Sequence, residues 1–130
     1  MLSMRRREET PPADLRLDGE GLEIHGVWID GQETPGGPLG APGGPLKGYG
    51  VDSEGALHIP SGLLPLESGK EFKVKTEVTI HPKTNLKLSG LYATGDLLCT
   101  QCEAEGFRRI TFFLDRPDVM AKFKVLNPKP

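Results

Sequence analysis

Polar and nucleophilic side chains are concentrated in one short segment, from Cys99 to Glu105. Cys99 and Cys102 have the Cys-x-x-Cys spacing, at which two thiolates can bind zinc or cycle as a redox pair. Gln101 and Glu103 lie in the same segment, where a carboxylate beside an amide can hold a protonated amine, provided that a neighbouring wall excludes water. The segment therefore offers three kinds of chemistry: metal binding, thiol redox chemistry and amine binding.

The metal and redox alternatives lack the residues that would complete them. A closed zinc site needs four ligands, and His25, His58 and His81 are scattered, without the paired spacing of finger-type sites. A thioredoxin-like motif lies between a strand and a helix of a βαβ unit, and no such pattern surrounds the cysteines. We therefore expect two reduced cysteines beside a packed loop, with a small Cys/His metal domain as an alternative.

The sequence contains no motif of a complete hydrolase. A zinc peptidase needs His-Glu-x-x-His on a helix and a third ligand, and none of the three histidines is followed by Glu. The nucleophile elbow Gly-x-Ser-x-Gly is also absent from the sequence. We predict that this chain binds no cofactor or metal and has no catalytic residues of its own.

Charge and hydropathy exclude two classes of partner. Sixteen basic and eighteen acidic residues give a formal charge of −2, so we expect neither nucleic acid nor an anionic membrane as a partner. The apolar runs are short, whereas a membrane span needs about 20 apolar residues. The basic cluster Arg5 to Arg7 is followed at once by Glu8 and Glu9, unlike a secretory signal. We expect a cytoplasmic protein, or one of an organellar stroma or matrix if an upstream targeting segment is missing.

Alternating apolar residues predict a mainly β domain. The segment from Phe72 to Ile80 has the period-two pattern of a strand with one buried face. Leu15 to Leu17 and Leu22 to Ile29, separated by glycines, predict a hairpin. Asp118 could cap a helical turn over residues 119–122. The pattern predicts an incomplete antiparallel β-sheet of saddle or sandwich type, with one or two short helical turns.

Composition divides the chain into four parts. Residues 31–50 contain eight Gly and four Pro, which predicts a flexible insert without a regular ladder. Residues 1–13 are predicted to be a disordered tail and residues 127–130 a second tail. The folded part is then predicted to span residues 14–126.

The region from Gly90 to Phe123 carries motifs that are specific to one family. Three segments carry these motifs. Residues 90–92 are Gly-Leu-Tyr, residues 98–107 are Leu-Cys-Thr-Gln-Cys-Glu-Ala-Glu-Gly-Phe, and residues 114–119 are Leu-Asp-Arg-Pro-Asp-Val. These motifs resemble those of the amino-terminal domain of bacterial and plastid-type aminopeptidase N, a family of zinc metallopeptidases. The resemblance covers about residues 13 to 125, and it marks the chain as a truncated piece of such a domain.

The resemblance implies a fold, a partner and a role for two residues. In that family the domain is a saddle of antiparallel strands packed against a thermolysin-like catalytic domain, which holds the zinc ion. By the match, Glu103 would bind the free amino group of a peptide substrate, and Gln101 would line the pocket for its first side chain. The family's exopeptidase and zinc motifs have no match in this chain, so we expect it to be inactive alone. The alternative is a stand-alone β-rich interaction module without enzymatic activity.

Overall fold

The computed structural model describes residues 1–38 and 48–126 of this chain. Ten β-strands fall within these residues, and the helices there are three 3-10 turns of three residues each, Ser61–Leu63, Pro82–Thr84 and Phe107–Arg109. The strands are β1 Leu2–Arg5, β2 Leu15–Leu17, β3 Glu23–Ile29, β4 Gln32–Thr34, β5 Gly36–Pro38, β6 Tyr49–Val51, β7 Leu57–Ile59, β8 Glu71–Thr79, β9 Gly90–Thr94 and β10 Leu97–Gln101.

The first sheet has the order β1-β8-β3-β4, with every neighbouring pair antiparallel. Its long strand β8 shows the predicted alternation, because Phe72 and Val74 are buried while Lys73 and Lys75 are exposed. Such alternation places one face of the strand on the core and the other in water. The predicted strand from residue 72 to residue 80 is therefore confirmed, with a start at Glu71.

The second sheet has the order β2-β7-β6-β5 and faces the same core. Its β2–β7 and β7–β6 pairs are antiparallel, and β5 joins the edge as a parallel strand. Leu17 lies opposite Leu57 in the β2–β7 register, and both side chains are fully buried. The eight buried residues of the shared core come from both sheets and from the segment after β10: Leu17, Val27, Ile29, Leu57, Ile59, Phe72, Val74 and Phe112.

Phe112 enters this core because Gly19 leaves space for its ring. A Cβ atom at residue 19 would lie 2.4 Å from the Phe112 ring and 2.7 Å from the carbonyl oxygen of Gly55. A side chain at this position would force the ring or the backbone to move, since interiors are close-packed. The fold is thus two sheets on one core, which confirms the predicted mainly antiparallel β class.

The prediction of a disordered tail over residues 1–13 is wrong for its first part. Leu2–Arg5 forms β1 and pairs antiparallel with β8, with Leu2 opposite Val74 and Met4 opposite Phe72. Leu2 and Met4 are half-buried and pack against the core. The period-two pattern of these two apolar residues is only four residues long, and the basic residues after it masked its significance.

The prediction of a ladder-free insert over residues 31–50 is wrong at both of its ends. Strands β4, β5 and β6 all include residues of this range, while residues 39–47 lie outside the described part of the chain. A Cβ atom at Gly36 would lie 2.3 Å from the Tyr49 ring, so the missing side chain is what lets β5 approach β6. Pro38 is tolerated because β5 is an edge strand.

Two further predictions differ from the structure. Strands β2 and β3 belong to different sheets instead of forming a hairpin. No helical turn follows Asp118, whose carboxylate accepts hydrogen bonds of 2.9 and 2.6 Å from Arg116 instead of capping free amides. The predicted tail over residues 127–130 lies outside the described residues.

Candidate functional site

The β9–β10 hairpin carries the segment in which the sequence predicts chemistry. Its register runs from Leu97 opposite Thr94 to Gln101 opposite Gly90, and it forms a two-stranded sheet of its own. Gly95, at the turn of the hairpin, has a positive φ of 58°, a conformation that glycine adopts readily. Gln101 therefore lies at the base of the hairpin, where the chain leaves it.

Gly90 allows the base of this hairpin to approach the next element closely. Its φ is 78°, and a Cβ atom there would lie 2.5 Å from the Cβ of Arg109. Asn85 supports the same base, because its side-chain amide donates hydrogen bonds of 2.8 and 2.9 Å to the carbonyls of Ser89 and Leu91. Backbone geometry and a partly buried amide thus hold the base of the hairpin at the start of β9.

A tight turn follows β10 and contains Glu103. The N–H of Gly106 donates to the carbonyl of Cys102 at 2.8 Å, which closes the turn, and the peptide bond between Glu103 and Ala104 is cis. A Cβ atom at residue 106 would lie 2.8 Å from the Gln101 carbonyl oxygen, so the turn needs glycine there. We call residues 102–106 the recognition turn.

Gln101 and Glu103, the two predicted site residues, lie together at this turn. Both side chains are exposed. Among residues 1–38 and 48–126, neither side chain forms a hydrogen bond, and Glu103 forms no ion pair. The neighbouring Glu105 differs, since its carboxylate accepts a hydrogen bond of 3.0 Å from Arg108. Glu103 is thus the carboxylate of the recognition turn that has no partner in the described part of the chain.

Arg108 and Asp115 anchor the recognition turn, and our sequence reasoning assigned no role to either residue. Nε of Arg108 donates to Oδ2 of Asp115 at 2.9 Å, and Nη2 donates to the Asp115 carbonyl at 2.9 Å. The hydrogen bond to Asp115 raises the pKa of Arg108 above its ordinary value, so this cation stays charged. Arg108 lies two residues after Gly106, the last residue of the turn, but nothing in the sequence specifies its partner seven residues later.

A second anchor joins the same region to the turn between β2 and β3. Nη2 of Arg109 donates to Oε1 of Glu20 at 2.6 Å, and Nζ of Lys87 donates to the same oxygen at 3.1 Å. Partial burial raises the pKa of Glu20, but the hydrogen bonds and charges of Lys87 and Arg109 outweigh burial and hold it below its usual range. These contacts connect residues far apart in sequence, so no local pattern predicts them.

The two cysteines flank Gln101 and are free thiols, each partly buried. Burial raises the pKa of the Cys102 thiol, and the negative charge of Asp115 raises it further. The thiolate that redox or metal chemistry requires is therefore disfavoured at Cys102.

No zinc centre fits the described residues. Within residues 1–38 and 48–126, no group of three or more His, Cys, Asp and Glu side chains is arranged to hold a metal ion. The histidines are separately engaged: His25 with Thr79, His58 with Asp52 and His81 with Glu23, each at 2.7 Å. The alternative of a small Cys/His metal domain has no support in this arrangement.

Large apolar side chains are exposed around the hairpin and after residue 119. Leu97 and Leu98, at the start of β10, are 68% and 67% exposed. Phe123 is 63% exposed, although its ring packs edge-on against Phe107 at 5.3 Å between centroids. Where exposed apolar side chains form a contiguous patch, they can serve as an interaction surface. The others in these two regions are Leu86, Leu88, Met120, Val125 and Leu126.

The helices in the described part of the chain are too short and too polar to cross a lipid bilayer. No protein-family model matches the sequence. The sequence is nevertheless similar to curated proteins and to a solved structure.

Three curated relatives share the same name. The chain is 44% identical over 111 residues to aminopeptidase N of Caulobacter vibrioides, an alignment that covers 85% of this chain and 11% of the relative. It is 43% identical over 117 residues to aminopeptidase N of Escherichia coli, covering 90% and 11%. It is 39% identical over 118 residues to aminopeptidase N of Haemophilus influenzae, covering 91% and 12%. This chain therefore spans about an eighth or less of the length of these relatives.

A solved structure has a similar fold. Legionella pneumophila aminopeptidase A, crystallised in complex with aspartic acid, matches with a TM-score of 0.60 and 26% identity. The match covers 81% of this chain and 10% of that protein. Sequence and fold thus point to the same group of proteins.

Proposed function

We propose that this chain, which belongs to the aminopeptidase N family and corresponds to a short part of such a protein, recognises the free amino end of a peptide substrate. One observation carries the proposal: Glu103 is an exposed carboxylate without an ion-pair partner among the described residues, on a turn anchored by partly buried ion pairs.

The chemistry of the turn matches a primary amine. The ammonium group of a peptide amino terminus donates up to three hydrogen bonds, and a carboxylate accepts them with charge assistance. Gln101 lies two residues earlier, and its amide would line the pocket for the first side chain of the substrate. A carboxylate that binds the terminal ammonium would place the first peptide bond, and no later one, at a cleavage site opposite the turn.

A second lobe is required to make this interaction strong. An exposed carboxylate and an ammonium attract weakly in water, because solvent screens both charges. The partner that we propose is a thermolysin-like catalytic domain, which would close over the recognition turn and exclude water. Exposed Leu97 and Leu98 on the adjoining strand provide apolar surface for such a contact.

Zinc belongs to that partner and not to this chain. The family is one of zinc peptidases, but the described residues do not fit a zinc site, so no step of hydrolysis is assigned to them. Their proposed contribution is to bind and orient the substrate amine.

The proposed role of Glu103 can be tested in full-length Escherichia coli aminopeptidase N. Replacing the residue aligned with Glu103 by Ala should raise KM for an amino-acid anilide at least about tenfold, because a charge-assisted hydrogen bond is lost. The matched control replaces the residue aligned with Glu77, an exposed strand residue of this chain, by Ala. Unchanged KM and unchanged selectivity for free amino termini would remove Glu103 as the amine anchor.

A stand-alone interaction module is the second candidate, and the exposed apolar side chains around the hairpin favour it. Both cysteines are free thiols, which for either candidate favours a reducing compartment such as the cytoplasm or an organellar stroma or matrix. A pull-down with the intact chain separates the two candidates. Recovery of a protein that carries His-Glu-x-x-His supports the recognition role, and recovery only of unrelated proteins supports the module.

A further inference from the structure

We infer that Arg108 is a positioning residue, which clamps the recognition turn to the two-sheet body through a forked contact with Glu105 and Asp115. The inference rests on the proposed function of the turn, since a clamp matters for substrate binding only if Glu103 binds the substrate.

The side chain and the backbone of Arg108 together make five hydrogen bonds to three separate segments. On the turn itself, Nη2 donates to Oε2 of Glu105 at 3.0 Å. On the far side, Asp115 accepts from Nε at 2.9 Å and from the Arg108 backbone N–H at 3.1 Å, and its carbonyl accepts from Nη2 at 2.9 Å. The Arg108 carbonyl accepts from the N–H of Glu20 at 3.0 Å.

Asp115 is itself held on the body, so the clamp has a fixed end. Its N–H donates to Oδ2 of Asp18 at 3.2 Å, and Asp18 directly follows β2. Asp18 and Phe113 exchange two backbone hydrogen bonds, at 2.7 and 3.0 Å. A continuous path of polar contacts therefore runs from the second sheet through Asp115 and Arg108 to Glu105.

Burial decides which half of the clamp is strong. The side chain of Asp115 is 10% exposed and that of Arg108 is 23% exposed, whereas that of Glu105 is 56% exposed. Charge-assisted bonds strengthen where water is scarce, so the Asp115 half fixes the arginine. The more exposed Glu105 half then sets the position of the turn that carries Glu103.

The contact requires arginine and not simply a positive charge. Nε and Nη2 of one planar guanidinium point to acceptors on two different segments, which a lysine ammonium at the end of a flexible stem does not reproduce. Arg109 next to it cannot replace it, because its guanidinium contacts Glu20.

Hydrogen exchange on the intact chain tests the clamp without any assumption about substrate. In the Arg108→Ala variant, the amides of Gly106 and Arg109, which donate to the carbonyls of Cys102 and Gly106, should exchange at least about tenfold faster, because the turn opens more often. Glu105→Ala removes only the exposed arm and should give a smaller increase confined to the same residues, so it serves if Arg108→Ala does not fold. The control Arg116→Ala, which loses an exposed pair with Asp118, should leave these amides unchanged. Unchanged exchange in both test variants would overturn the clamp.

Kinetics in full-length Escherichia coli aminopeptidase N test the consequence for binding. Ala at the position aligned with Arg108 should raise KM several-fold with a smaller change in kcat, and Lys should restore only part of the loss. A merely structural role would lower the amount of folded enzyme and leave KM unchanged, which would contradict positioning. If hydrogen exchange is faster in Arg108→Ala but the substitution at the position aligned with Glu103 leaves KM unchanged, the proposed amine site is refuted and the clamp is not. If the Glu103 substitution raises KM but hydrogen exchange is unchanged in Arg108→Ala and Glu105→Ala, only the clamp is refuted.

Discussion

The two-sheet body and the β9–β10 hairpin with its recognition turn are stabilised in different ways. The body closes on eight buried apolar residues from both sheets and from Phe112. The hairpin contributes no residue to that core, and Leu97 and Leu98 in its second strand are mostly exposed. Its position depends instead on glycine contacts and on the ion pairs of Arg108 and Arg109. The hairpin thus keeps its apolar groups outside and is fixed at its base, an arrangement that agrees with the proposed contact with another surface.

The largest predicted difference in stability is between a leucine of the body and a leucine of the hairpin, each truncated to alanine. Leu57→Ala should lower the free energy of unfolding by about 3 kcal/mol, because a fully buried side chain leaves a cavity. Leu98→Ala, at a side chain that is 67% exposed, should cost under about 0.5 kcal/mol. Urea denaturation of the purified variants measures both. Equal losses would show that the hairpin is part of the core after all.

The junction between the two regions should show an intermediate effect. Asp115→Ala should cost about 2 kcal/mol, since it removes the carboxylate that accepts from Nε and from the backbone N–H of the partly buried Arg108. The matched control is Asp118→Ala, which breaks the exposed pair with Arg116 and should not change stability measurably. A denaturation midpoint for Asp115→Ala equal to or higher than that for Asp118→Ala would contradict the anchoring role.

The smallest effect concerns the second anchor and its dependence on pH. The pKa of Glu20 in the folded chain lies below its usual range, so its ion pairs add stability that is present at neutral pH and is lost as pH falls through the folded pKa. Between pH 7 and about pH 3, Glu20→Gln should therefore lose less stability than the unmodified chain. Glu77→Gln, an exposed residue without an ion pair among the described residues, should follow the unmodified chain. Identical acid profiles for Glu20→Gln and the unmodified chain would remove Glu20 as an anchor.

The body was partly predictable because period-two patterns act locally. Phe72 to Ile80 specifies one buried face within nine residues, and the strand appears almost as predicted. The pattern of Leu2 and Met4 is too short to stand out, and its pairing with β8 depends on residues about 70 positions away in sequence. The high Gly and Pro content of residues 31–50 led to the prediction of a flexible insert and not of β5 and β6. These two strands pair because Gly36 can lie directly against the Tyr49 ring.

The recognition turn was likewise only partly predictable from the sequence. Gln101 and Glu103 could be chosen because residue type and family resemblance single them out within one short segment. The residues that hold the turn could not, because Asp115, Glu20 and Lys87 acquire their roles only when distant segments meet. Side chains that contact a substrate tend to carry a local motif, whereas anchors depend on the completed fold.

The most direct test of the central claim is a chimera in which this chain replaces the aligned segment of Escherichia coli aminopeptidase N. The measurement is KM for an amino-acid anilide in the chimera with Glu103 and in the chimera with Glu103→Ala. We predict that the first chimera hydrolyses the anilide and that the substitution raises KM at least about tenfold, with the smaller effect on kcat. An active chimera in which Glu103→Ala leaves KM unchanged would contradict the account.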